Sequence, residues 1–144
     1  MKLYIDNSLD LDETKRKLAS DFCLFCAEHL PIENDNFEVY MVSEREPHNI
    51  STTAVYEVGN NICRIYCKGR AFADCMRSIA HEMTHMMQDE LGILTGHIRD
   101  AGGFHEDQAN AKAGEIIKLF AKSKPERKMI YEQRTILKKA RLLI

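Results

Sequence analysis

The five residues His81-Glu82-Met83-Thr84-His85 constrain this chain more than any other stretch. Histidines four apart lie nearly above one another on an α-helix, so both imidazoles can reach one ion. The intervening Glu82 is rotated by about 100° from His81 and stands beside the ion rather than in its coordination shell. That is the division of labour a metal-assisted hydrolysis needs. Two nitrogen ligands hold zinc, and a carboxylate takes a proton from a water activated there. With six His and thirteen Glu in 144 residues, chance would supply about 0.02 such matches. The plainer alternative is a surface pair of histidines on an amphipathic helix.

The flanking pattern favours a helix. From Ala71 to about Leu91, Phe72, Cys75, Met76, Ile79, Met83, Met86 and Met87 form an apolar stripe, and Gly92 is a natural terminator. The two histidines fall on a different side from that stripe. Cys75 and the methionines are expected to be core rather than cofactor features.

A catalytic zinc site wants three protein ligands and one open position. The downstream candidates are His97, His105, Glu106, Asp107 and Glu115. His105 and Glu106 are the serious rivals, and as helix neighbours they point about 100° apart. The Glu106 face continues through Ala109, Asn110, Ala113 and Ile117, where two alanines permit close approach of a second helix. The His105 face continues through Gln108 and Lys112 and reads as solvent-facing. Glu106 is the expected ligand.

His81-Glu82-Met83-Thr84-His85, followed by Glu106-Asp107-Gln108-Ala109-Asn110, resembles the gluzincin metallopeptidases, whose third ligand is a glutamate on a second helix in a Glu-x-x-Ala-Asn/Asp setting. The small size and the Glu106–Asn110 run are most similar to the compact ImmA/IrrE-like branch. Lys112 departs from its usual aromatic or aliphatic residue, and its Leu-Met-Pro ending is missing. The resemblance implies zinc at His81, His85 and Glu106, Glu82 as catalytic base, and Asn110 hydrogen-bonding a ligand. It implies a zincin-like fold in which an edge strand beside the active-site helix pairs with extended substrate; Ile62 to Lys68 would fill that role. Similarity to the SprT-like group, whose site is completed by a downstream histidine, would promote His105 instead.

The remaining segments predict an α+β domain over 1–144, a small mostly antiparallel sheet packed on the His81 and Glu106 helices. Lys2 to Ile5 reads as a strand, Asp10 with Glu13 as a helix start, and Pro31 as its stop. Residues 37–43 are rich in strand formers. Thr52–Val58 and Ile62–Lys68 flank Gly59-Asn60-Asn61 as a hairpin, with Cys63, Ile65 and Cys67 on one face. A helix should start near Phe104, after a Gly-bearing loop over 92–103 that could act as a lid or be a plain connection between two helices. Ser123-Lys124-Pro125-Glu126 predicts a last helix over roughly 124–142.

Composition bounds the rest. Met1 to Asp6 places an acid where a signal peptide needs apolar residues, and no apolar run approaches the ~18 needed to span a bilayer. A cytoplasmic location and no membrane partner are expected. Five cysteines are odd in number and read as reduced thiols. Cys23-x-x-Cys26 and Cys63-x-x-x-Cys67 sit on amphipathic elements, and buried thiols explain them more simply than a structural zinc. From Lys118 onward there are nine Lys/Arg against two acids, while residues 1–117 carry eleven against twenty. The expected function is zinc-dependent hydrolysis of a peptide or protein substrate. Tyr66, His97, Arg99, His105 and Tyr131 are candidates to stabilise its oxyanion. The alternative is a non-catalytic, zinc-stabilised module whose basic C-terminal helix binds nucleic acid or a protein, although no aromatic interleaving accompanies that charge and nucleic acid is not favoured.

Overall fold

A computed structural model describes residues 1–94 and 103–139 of the chain. It is an α+β fold with a four-stranded sheet: β1 (Lys2–Ile5), β2 (Glu38–Val42), β3 (Ala54–Glu57) and β4 (Ile62–Tyr66). Three α-helices accompany them: α1 (Glu13–His29), α2 (Phe72–Glu90) and α3 (Phe104–Ser123). Short 3-10 turns cover Glu46–His48 and Pro125–Tyr131.

The sheet order is β1-β2-β4-β3. Contrary to the expected mostly antiparallel sheet, β1–β2 and β2–β4 are parallel, and only the β3–β4 hairpin is antiparallel. The connections are the cause. Helix α1 carries the chain back across the sheet so that β2 starts level with β1, a crossover that parallel strands require. The hairpin then lays β3 on the outside and returns β4 beside β2. The segment expected to be the edge is therefore interior, and the edge strands are β1 and, beside β4, β3.

Local chemistry sets the element ends. Asp12, rather than Asp10, caps α1, its carboxylate accepting from the Lys15 backbone N–H at 2.9 Å. Gly59 and Asn61 take positive φ (86° and 54°) in the hairpin turn, a region glycine and asparagine tolerate best. Along β4 the alternation holds: Cys63 and Ile65 are fully buried, and Arg64 and Tyr66 are only partly covered. The opposite sheet face is filled by stacking, with Tyr4 on Tyr40 at 4.6 Å, Arg64 over Tyr40 at 4.7 Å and Arg45 over Tyr66 at 3.9 Å.

The core lies between the sheet and the helices. The predicted α2 stripe is buried from Phe72 through Met86, with Met87 half-buried. Phe22 of α1 meets Phe120 of α3 edge-on at 5.1 Å. All five cysteines are free, buried thiols. Burial pushes Cys23 up to about 12 and raises Cys26, Cys63 and Cys67 as well. Among the described residues no cluster of thiolates assembles as a metal site.

The helix expected over 124–142 does not form across 125–139. Pro125 opens a 3-10 turn that ends at Tyr131, and the chain then runs as an extended strap. Its backbone finds partners elsewhere: Ile136 N donates to Arg70 O at 2.7 Å, Asp10 N to Leu137 O at 3.0 Å, and Lys139 N to Ser8 O at 2.6 Å. Lys15 pairs with Glu132 at 2.8 Å, and Ile136 is buried. These bonds replace the helical ladder, and burial of Ile136 adds apolar area that a solvated helix would not.

Candidate metal centre

Helix α2 presents its apolar stripe to the core and its His81/His85 side to a cleft. The cleft is bounded by residues 49–58 on one wall and by Glu106, Asn110, Ala113 and Gly114 of α3 on the other. Its volume is about 1050 Å³, at the top of the range usual for small-ligand sites and large enough for an extended segment. Ala109 and Ala113 are buried against α2. The small side chains let the two helices approach, as the sequence suggested, and bring Glu106 over the histidines.

His81, His85 and Glu106 each place a ligand atom within 4.8 Å of the others. His85 Nε2 lies 2.7 Å from Glu106 Oε1, and His81 Nε2 lies 3.2 Å from Glu106 Oε2. Two imidazole nitrogens and one carboxylate converging on a point form a donor set that could hold a metal ion. The cleft leaves that point open on one side. Burial lowers the His81 pKa, against the Glu106 carboxylate, which raises it. Asn110, exposed on α3, lines the same cleft as His81. Glu82 is buried apart from its contact with the cleft, and that burial, with Glu106 nearby, pushes its carboxyl up to about 8 in the metal-free protein.

His105 does not join the cluster. Its Nδ1 is buried without a partner, and its backbone carbonyl instead accepts from Gln88 Nε2 at 3.1 Å. Gln108, expected to face solvent, accepts from the same nitrogen at 2.8 Å. Of the other sequence candidates, Tyr66 and Tyr131 do not line the cleft, and neither does His105. His97, Arg99 and most of the 92–103 loop lie outside the described residues.

Gln88, three places after His85, has no role assigned to it by the sequence alone. It is fully buried, one turn beyond His85, and its Oε1 lies 2.8 Å from His85 Nδ1. The amide cannot be turned round. The His105 carbonyl only accepts, so the nitrogen must face it and the oxygen must face His85. An acceptor at that point requires the proton on Nδ1, which leaves the Nε2 lone pair for an ion. The available signal was spacing: position 88 falls on the His81/His85 side of the helix, three residues past the second histidine.

No family model matches the chain, and neither a curated protein nor a solved structure matches it.

Proposed function

We propose that this protein is a zinc-dependent peptide-bond hydrolase of gluzincin type, with His81, His85 and Glu106 as ligands and Glu82 as base. The observation that carries the reading is the convergence of both Nε2 atoms and the Glu106 carboxylate at the floor of a cleft that Glu82 also lines. Two nitrogens and an oxygen suit zinc among the common ions. When bound, zinc would polarise the substrate carbonyl and acidify water.

The chain's own groups do the rest. The outer edge of β3 borders the cleft at Ala54, Val55 and Tyr56. Its outward N–H and C=O groups can pair with an extended substrate, the role first assigned to β4. Glu82 takes a proton from the attacking water and returns it to the departing amine nitrogen. Gln88 holds His85 in the tautomer that ligates, and Asn110, which lines the same cleft, is the group expected to hydrogen-bond a ligand from α3. The five reduced thiols fit a reducing compartment such as the cytoplasm, and no helix among the described residues is long and apolar enough to cross a membrane.

The test is zinc content together with cleavage of a mixed peptide library, for wild type and for Glu82→Gln. Zinc should be retained in both and cleavage lost in the variant. Wild type that binds zinc and cleaves nothing, or a variant that cleaves as well as wild type, would refute the assignment.

A further inference from the structure

We propose that Arg70 makes this cleft selective for acidic substrates, binding a carboxylate carried one or two residues from the bond that is cleaved. The position of that bond is taken from the hydrolase reading above. The selectivity itself rests on the other end of the cleft.

From the metal cluster the cleft runs along α2 toward its N-terminus, past Ser78, Arg77 and Asp74 to Arg70. Arg70 folds its side chain forward along the helix. Nη1 donates to Tyr66 O at 2.7 Å, and Nη2 donates to Asp74 O at 3.1 Å and to Ser78 Oγ at 2.8 Å. The last contact fixes the location of the charge. Ser78 precedes His81 by three residues and Glu82 by four, so the guanidinium stands about one helical turn, ~5.4 Å of rise, from the base and first ligand. An extended peptide advances about 3.4 Å per residue, which sets the spacing of one to two residues.

All three acceptors are uncharged, and among the described residues no carboxylate lies within ion-pair distance of Arg70. Its neighbour Arg77 differs, being paired with Asp74 at 2.9 Å. Three of the five guanidinium N–H groups are spent on holding the head in place, and two remain. Arg70 and Arg77 are the only Lys or Arg among the described cleft-lining residues. A pre-positioned, unneutralised guanidinium in a partly desolvated groove is a carboxylate receptor. A glutamate or aspartate side chain and a chain-terminal carboxylate would both satisfy it.

The experiment measures binding of fluorescent peptides to zinc-loaded protein carrying Glu82→Gln, so that turnover does not interfere. A single Glu is walked through a neutral peptide, each with its Gln twin, and each peptide is made with a free and an amidated C-terminus. At least one Glu peptide should bind about tenfold more tightly than its twin, the scale of one charge-assisted hydrogen bond. Added Arg70→Gln should erase that difference and leave the neutral peptide's affinity unchanged. A preference that follows the free terminus instead identifies the chain end as the anion. Because Arg70 also braces β4 to α2, the intact arginine is tested too: raising the salt should weaken the acidic peptide selectively. Equal binding of acidic and neutral peptides, a preference that survives Arg70→Gln, or equal weakening of both peptides would overturn the proposal. Acid-selective binding without cleavage by the Glu82 protein would refute the hydrolase reading alone. Cleavage without acid preference would refute Arg70 alone, and failure of every peptide to bind would refute both.

Discussion

Replacing Gln88 by Met tests whether the buried amide sets the ligating state of His85. The substitution keeps the length and most of the volume of the side chain, so the buried position stays filled. It removes the acceptor 2.8 Å from His85 Nδ1 and both donations from Nε2, to His105 O and Gln108 Oε1. Deprived of its acceptor, the imidazole no longer gains by carrying its proton on Nδ1, and the ring loses one of the two constraints on its orientation. Partners of this kind are typically worth ten- to a hundredfold in metal affinity, or about 1.4–2.8 kcal/mol. The metal-free protein should lose a further ~1–3 kcal/mol, because the His85 nitrogen is buried and the other orphaned groups are partly so.

Competition with a chromophoric chelator gives the zinc affinity, and thermal unfolding with and without zinc separates that loss from the loss of fold stability. Nitrogen chemical shifts of His85 supply the readout that a merely structural role would not move. In wild type with zinc, Nδ1 should carry the proton and Nε2 should show the shift of a metal-bound nitrogen; in Gln88→Met that assignment should weaken or exchange. A folded variant whose zinc affinity stays within twofold of wild type, or a wild-type His85 protonated on Nε2, would refute the reasoning.

Zinc should be lost from Glu106→Ala and kept by His105→Ala in metal analysis after dialysis; the reverse result would make His105 the third ligand. Burial first, and then its 2.5 Å hydrogen bond to Asp89, raise the Tyr56 phenol above its ordinary pKa near 10. Above pH ~10 the unfolded chain therefore releases this proton while the folded protein keeps it, so stability falls as pH rises. Denaturant titrations from pH 8 to 11 should show that fall shrink in Tyr56→Phe, and an identical pH dependence would disprove the assignment. Ile136→Ala empties a buried contact under the strap and should cost about 2–4 kcal/mol in the same unfolding assay; a cost under 0.5 kcal/mol would mean that the strap is not held by burial. Thiol labelling should be slow in the native protein and reach all five cysteines only on unfolding; rapid native labelling of any of them would contradict their burial.

The elements legible in the sequence were those whose periodicity and local chemistry agree. α2 combines a 3.6-residue apolar stripe with a glycine stop, β4 alternates cleanly, and the small residues on the Glu106 side of α3 marked the face that approaches α2. What escaped depends on partners far away in the chain. Nothing local at Ile62–Tyr66 distinguishes an interior strand from an edge, because both faces alternate alike; its place follows from α1 returning β2 parallel to β1. Residues 132–139 carry no strong helical stripe, and there the start signal at Ser123–Glu126 was read too far. Gln88 showed only a position on a helix face, and its role needed the carbonyl of His105 seventeen residues away to orient the amide.

These long-range partners explain how one helix can serve core and cleft together. α2 is held at its start by the strap, through Ile136 N on Arg70 O. Near its end Asp89 accepts from both Tyr56 Oη and Gly59 N, binding the helix to the β3 hairpin. Between those anchors α3 is joined to it through Gln88. The His81–His85 turn thus lies on a segment fixed from three directions, while the side of that turn facing the cleft keeps room for a ligand. Catalytic groups need fixed geometry more than they need burial. Among the described residues the outer edge of β3 has no strand partner and Arg70 no carboxylate partner, and on the proposed hydrolase reading both are groups that a substrate can satisfy.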